Sequence, residues 1–169
     1  MTCYLCGNND FNVISNKVRD NSNLKVLECN SCKLISLSSF DHITDNFYEE
    51  SNMHKNLSVF EWRKNNELDD NRRINALKNL IENKTLLDFG CGNGGFLTKS
   101  KDITKNSEGL EIDIKAVNIL KEEGFIIYNK IDEISNKYDI ITMFHVLEHL
   151  KNPIKVITQL KNKLNSDGC

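Results

Sequence analysis

The sequence predicts an α/β fold: a parallel sheet flanked by helices, preceded by a small metal-stapled ribbon. Three observations carry this. Residues 85–97 read T-L-L-D-F-G-C-G-N-G-G-F-L, an apolar run that passes through crowded glycines into a helix start. Residues 138–144, Y-D-I-I-T-M-F, form an almost continuously apolar run, as expected of a strand buried on both faces. Cys3-x-x-Cys6 and Cys29-x-x-Cys32 form two paired-cysteine motifs.

A chain of 169 residues suffices for one ordinary domain plus a small appendage. Hydrophobic content of 39% and charged content of 27% suit a globular protein. The net charge is −2 without a long basic run, which argues against nucleic acid as partner. No apolar stretch is long enough to cross a bilayer, and the N-terminus lacks the pattern of a signal peptide. A cytoplasmic location with reduced thiols is expected.

Taken in order, the first element is the ribbon. Cys3, Cys6, Cys29 and Cys32 have the spacing of a tetrahedral zinc site, each pair forming a knuckle that aims two thiolates at one ion. Between them lie two β-like runs, residues 11–14 and 24–27, and a polar turn at residues 20–23. Such a segment has too little core to fold without a staple. Disulfides fit the expected compartment poorly. Four cysteines leave no open position, so the zinc is structural. Gly7 follows the first pair but Lys33 follows the second, and Lys33 must then adopt the knuckle turn without glycine's freedom. Cys91 and Cys169 are not ligand candidates.

The expected organisation is a zinc-ribbon module over residues 1–38, a linker with sheet-covering helices over 39–84, and a cofactor-binding domain over 85–169. In the linker, Phe40, Phe47, Tyr48, Phe60 and Trp62 are expected mostly to pack the ribbon onto the main domain. A functional alternative has Phe47-Tyr48-Glu49-Glu50 covering the pocket or meeting the acceptor. His42 and His54 are expected at the surface. Residues 67–83 have helical spacing, with Leu68, Ile74, Leu77, Leu80 and Ile81 on one side and Arg72, Arg73 and Lys78 outward.

Leu86, Leu87 and Phe89 make the first sheet strand, with Asp88 near its end. Gly90, Gly92, Gly94 and Gly95 form a turn that a ligand can approach without meeting a Cβ. Gly90-x-Gly92-x-x-Gly95 also satisfies the dinucleotide fingerprint, so the glycines alone leave the cofactor open. Residues 96–101 begin the first crossover helix. Residues 107–113 form a second strand ending in acids, where Glu111 is placed to accept hydrogen bonds from both hydroxyls of a ribose. Asp113 caps the helix of residues 114–123, which Gly124 closes. Residues 125–128 are a third strand, with Asp132 just beyond it placed near an adenine ring. Residues 138–144 are the fourth strand.

His145-Val146-Leu147-Glu148-His149-Leu150 follows that strand directly. Together, D-F-G-C-G-N-G-G, G-L-E-I-D and Y-D-I-I-T-M-F-H-V-L-E-H-L-K-N-P resemble class I S-adenosylmethionine-dependent methyltransferases. The chain is most similar to the branch that carries an N-terminal zinc-binding module, common in sugar, capsule and antibiotic pathways. The H-V-L-E-H-L-x-x-P element sets the hydride-transfer reading aside. The resemblance implies a Rossmann-like sheet in the order 3-2-1-4, an incomplete form of the seven-stranded methyltransferase fold.

It also implies site roles. Gly90 and Gly92 line the methionine moiety of S-adenosylmethionine, and Asp88 supports its ammonium group. Glu111 holds the ribose and Ile112 lies against the adenine. Phe144 and His145 lie beside the sulfonium. Methyl transfer needs an aligned nucleophile and an acceptor for its proton. His145 is the first candidate base, with His149 and Glu148 next. These three side chains could instead act as structure, or share one helical face and hold a divalent metal.

Asn152-Pro153 starts a last helix, with Ile154, Ile157, Leu160 and Leu164 along one stripe. A family sheet would continue past Cys169. The fourth strand is therefore expected to show an unpaired edge: either the chain is a truncated form, or a second copy or another chain covers that edge. The expected function is methyl transfer to oxygen or carbon of a small molecule, such as a sugar-nucleotide or surface-polysaccharide (capsule) precursor. The alternatives are an RNA methyltransferase whose ribbon grips RNA, and a catalytically silent cofactor-binding module.

Overall fold

The structure, a computed structural model, describes residues 1–18, 21–41 and 57–169. His42, Phe47, Tyr48, Glu49, Glu50 and His54 lie outside the described residues. The described chain divides into two compact units: residues 1–41 with 151–156, and residues 57–150 with 157–169.

In the first unit, β1 (Phe11–Ser15), β2 (Val26–Cys29) and β3 (Ile35–Leu37) form an antiparallel sheet in that order. The third strand was not legible in the sequence, because three residues are too few to show an alternation. The two knuckles close as the cysteine spacing requires: the Gly7 N–H donates to Cys3 O and the Lys33 N–H to Cys29 O. Lys33 does adopt the left-handed turn, at φ +63°. The four sulfurs lie within 4.8 Å of one another.

The second unit begins with α1 (Val59–Ile81), far longer than its apolar spacing suggested. Its start is a capping box. Ser58 Oγ accepts from the Glu61 N–H, and the Glu61 carboxylate accepts from the Ser58 N–H. The exposed apolar residues misled the pattern: Leu68 is 86% and Leu80 45% exposed, whereas Ile81 and, unexpectedly, Asp70 are buried. Arg73, expected outward, has its guanidinium 4.4 Å from the centre of the Phe144 ring. Phe60 is not a packing residue either, being 72% exposed.

The sheet consists of β4 (Thr85–Phe89), β5 (Asn106–Leu110), β6 (Ile127–Tyr128) and β7 (Ile140–Thr142). It is parallel and ordered β6-β5-β4-β7, the 3-2-1-4 order expected. Between the strands run α2 (Gly95–Ser100) and α3 (Ile114–Glu122), the latter capped by Asp113, whose carboxylate accepts from the Lys115 and Ala116 N–H groups. One core joins Ile81, Leu86, Phe96 and Ile140; another joins Leu97, Val117, Leu120 and Ile127. α4 (Pro153–Lys161) closes the chain's helices, and Asn152 caps it by accepting from the Lys155 N–H.

In the middle of β5, buried Glu108 accepts from the Tyr128 and Tyr138 hydroxyls and from the Asn106 and Asn136 amides. These bonds satisfy its lone pairs, which is what makes a buried carboxylate tolerable.

The outer edge of β7 is not bare. The Tyr138 N–H donates to Lys163 O, the Asn165 N–H to Tyr138 O, the Ile141 N–H to Cys169 O and the Cys169 N–H to Asp139 O, all at 2.8–2.9 Å. Residues 163–169 thus occupy part of the edge that was expected to need a second chain.

Candidate cofactor site

A cavity of about 360 Å³ opens at the carboxyl ends of β4, β5 and β7. This is the end of an open parallel sheet at which ligands bind. Its floor is the turn after β4. The Gly90 and Cys91 N–H groups both donate to Leu110 O, which ties the turn to β5. Gly90 has φ +76°, and a Cβ there would run into the Val146 side chain. Gly92 has φ +54°, and a Cβ there would lie 3.0 Å from the Trp62 ring. Both positions therefore need glycine for backbone and for space.

Glu111 follows β5 and reaches back to this turn. Its Oε2 accepts from the Gly92 N–H at 2.7 Å; its Oε1 accepts from the Ile112 and Asp113 N–H groups at 2.7 and 2.9 Å. A carboxylate has about four acceptor positions, and three are taken. One remains free for a ligand.

Asp88 is 2% exposed, and its carboxyl pKa is pushed up to about 7. Burial is the main cause; the Thr142 hydroxyl, donating at 2.8 Å, works the other way. Phe144 stands edge-on to Phe96, with ring centres 4.9 Å apart.

His145 is held at φ +55°, a left-handed conformation uncommon outside glycine and found where a site dictates the backbone. Its Nδ1 faces Glu148 Oε1 at 3.4 Å. His145 and His149 line the cavity but Glu148 does not, so Glu148 is placed to orient His145 rather than to meet a ligand. The single helical face that would present all three to a metal is not formed: left-handed His145 is followed by a short 3-10 turn, Leu147–His149. Among the described residues, the only cluster able to hold a metal is the four cysteines.

Of the residues singled out from sequence, Asp88, Gly90, Gly92, Glu111, Ile112, Phe144, His145 and His149 meet around this cavity. Asp132 does not: it is exposed in the 3-10 turn Ile131–Glu133. Sequence reasoning missed Trp62, Asn66, Asp70 and Arg73, which line the cavity from one face of α1. The signal was present. The Ser58-x-x-Glu61 box extends the helix to Val59, and helical spacing then aligns positions 62, 66, 70 and 73. Arg63 ties α1 to the turn. Its guanidinium donates to Asn93 O at 2.8 and 2.9 Å and to the Glu123 carboxylate at 2.8 and 3.1 Å.

The ribbon meets the demands of zinc. Cys3 and Cys32 Sγ lie 3.6 Å apart, as do Cys6 and Cys29. Tetrahedral Zn–S bonds of ~2.3 Å place sulfurs about 3.8 Å apart.

A family model described as a methyltransferase domain matches residues 60–169. The ubiquinone biosynthesis O-methyltransferase of Glaesserella parasuis is 31% identical over 112 residues, covering 56% of this chain and 47% of that protein. The enzyme of the same name from Nitrosomonas europaea is 32% identical over 127 residues, covering 63% and 54%. The chain thus spans about half the length of the curated relatives it matches. Among solved structures, magnesium protoporphyrin IX methyltransferase from Synechocystis PCC 6803 with bound S-adenosylmethionine aligns with a TM-score of 0.54 at 15% identity, covering 75% of this chain and 73% of that one. That likeness is one of fold.

Proposed function

Because the chain belongs to the methyltransferase-domain family, we propose that its cavity binds S-adenosylmethionine and that its residues direct the methyl group to a small-molecule acceptor. The observation that carries this is the bond from the Gly92 N–H to Glu111. It brings an acid and a side-chain-poor turn together at the ligand-binding end of the sheet. When bound, the cofactor supplies a methyl group already activated on a sulfonium.

The chain's own residues bind, orient and deprotonate. Glu111 accepts a ribose hydroxyl. Ile112 packs against the adenine. Asp88 adds negative charge beside the cationic end of the ligand. Phe144 lines the wall that excludes water. His145, with Nδ1 turned toward Glu148, leaves Nε2 to take the proton from the attacking group of the acceptor. His149 is the second candidate for that role.

The acceptor is a small molecule methylated on oxygen, the chemistry named for the curated relatives. The sequence-based expectation of a sugar-nucleotide or surface-polysaccharide precursor has no counterpart in those names. A structural zinc held by Cys3, Cys6, Cys29 and Cys32 completes the reading, with the chain acting in the cytoplasm. Among the described residues, no helix is long and apolar enough to cross a membrane.

Titration calorimetry with S-adenosylhomocysteine tests the reading. One ligand per chain is expected for the unmodified protein, and the absence of heat across a range of temperatures would reject it.

A further inference from the structure

Asn93 stands in the glycine turn between Gly92 and Gly94, whose φ angles are +54° and +71°. Glycines leave a backbone many alternatives, so a turn built from them keeps one shape only where something outside it holds on. Asn93 is where that hold is made. It is 5% exposed, and its side-chain Oδ1 accepts from the Gly95 N–H at 2.8 Å. Its carbonyl accepts from Arg63 twice, from Nε at 2.9 Å and from Nη2 at 2.8 Å.

Arg63 is itself fixed from behind. Nη1 and Nη2 donate to Oε1 and Oε2 of Glu123, the residue that ends α3. Four of the five guanidinium N–H groups are thus committed. The Arg63 side chain is 21% exposed, which shields the pair from the water that weakens surface ion pairs. α3 also backs the turn directly: a Cβ on Gly94 would lie 2.2 Å from Leu120.

The turn is therefore held twice, by unlike means. The Gly92 N–H bonds to Glu111, which is also the acid offered to a ligand, so that hold is shared. Arg63 does not line the cavity, and its hold on Asn93 is shared with no ligand.

We propose that Arg63 is a positioning residue for the cofactor turn and that Glu123 orients it. This rests on reading the cavity as the S-adenosylmethionine site. Arg63 touches no ligand. It keeps the turn in its binding shape before the ligand arrives, so that little order has to be imposed on binding. Glu123 pins the two Nη groups and leaves the Nε edge facing Asn93. Lysine cannot replace arginine here, because an ammonium lacks the planar fork that reaches a carbonyl and a carboxylate together.

Hydrogen exchange of the ligand-free protein, run beside calorimetry with S-adenosylhomocysteine, tests this. Arg63→Gln is expected to speed exchange of the Gly94 and Gly95 N–H groups at least ~10-fold, to leave strand β4 protected, and to weaken S-adenosylhomocysteine ~10-fold or more. Arg63→Lys keeps the charge opposite Glu123 and should behave like Arg63→Gln; full rescue by lysine would reduce Arg63 to an ion pair and overturn the proposal. Glu123→Gln, at a half-buried position, should shift both readouts in the same direction by a smaller factor, and it carries the test if the Arg63 variants do not fold. Unchanged exchange of the turn in a folded variant overturns the brace. Faster exchange of turn and β4 alike, at unchanged S-adenosylhomocysteine affinity, makes Arg63 a stabilising residue only and overturns its positioning role while leaving the cofactor site standing. Failure of the unmodified protein to bind S-adenosylhomocysteine rejects the cofactor site, and with it any role of Arg63 toward the cofactor.

Discussion

Glu111 and Gly92, on neighbouring β–α connections of a parallel sheet, are joined by a 2.7 Å hydrogen bond from the glycine N–H to the glutamate Oε2. The bond fixes the turn at Gly92 against the acid that follows β5. It also presets that acid, since Oε1 is held by two further N–H groups. A carboxylate oriented before the ligand arrives loses little freedom on binding.

Removing Glu111 should therefore harm the ligand more than the fold. Glu111→Ala is expected to weaken S-adenosylhomocysteine binding ~10- to 100-fold, as for loss of a hydrogen bond to a charged group. The melting temperature should fall only modestly, since the three freed N–H groups lie at a solvent-accessible cavity. Glu111→Gln, which keeps acceptors on one oxygen, should fall between. Calorimetry and thermal melts on the same samples separate the two effects.

Asp88 should make both stability and binding depend on pH. Its folded pKa of about 7 lies above the ordinary value of 3.8. Between those values the folded state holds more protons than the unfolded one. Stability of the ligand-free protein should then decline as pH rises from about 4 to about 7, on the order of 4 kcal/mol across the window. Asp88→Asn should flatten that decline. A cation bound beside Asp88 favours its charged form, so ligand affinity should rise with pH up to about 7 and then level off. Melts and titrations at several pH values would show both slopes.

Trp62 is the chain's single tryptophan and lines the cavity against Gly92. Its emission should shift when S-adenosylhomocysteine is added, giving a direct optical titration. Gly92→Ala adds a Cβ 3.0 Å from that ring at φ +54°, and should cost about 1–2 kcal/mol in stability while displacing the indole. An unchanged emission spectrum in this variant would mean that the ring does not lie on the turn.

His145→Ala should lower the turnover rate ~100-fold or more at an unchanged S-adenosylhomocysteine affinity, the signature of a lost general base. Glu148→Gln should have a smaller effect in the same direction, because Glu148 stands 3.4 Å behind His145 and outside the cavity. If both variants retain full rate, the proton goes elsewhere, and His149 is the next residue to test.

The sheet was legible because its signals are local. Strands β4 and β7 read as short apolar runs, with Gly90 directly after β4, and Asp113 marks the start of α3 after β5. The knuckles were legible from spacing alone. The ligand-facing side of α1 was not, since it is built from polar residues: Asn66, Asp70 and Arg73 lie where an amphipathic pattern expects a core, and Leu68 faces outward. A helix that lines a polar cavity inverts the rule by which helices are found. The bonding of residues 163–169 to β7 was hidden for another reason: Asn165, Gly168 and Cys169 form no strand pattern, and they bond irregularly. The departure of Asp132 from the site follows from local geometry as well, because the 3-10 turn after β6 carries it to the surface.

The most direct test is a crystal structure of the protein with S-adenosylhomocysteine bound. The ribose is expected with a hydroxyl at ~2.7–2.9 Å from the Glu111 carboxylate, the spacing of a charge-assisted bond, and the thioether is expected beside Phe144 and His145. A ligand seated elsewhere, with Glu111 still bonded only to the N–H groups of Gly92, Ile112 and Asp113, would contradict the proposed site.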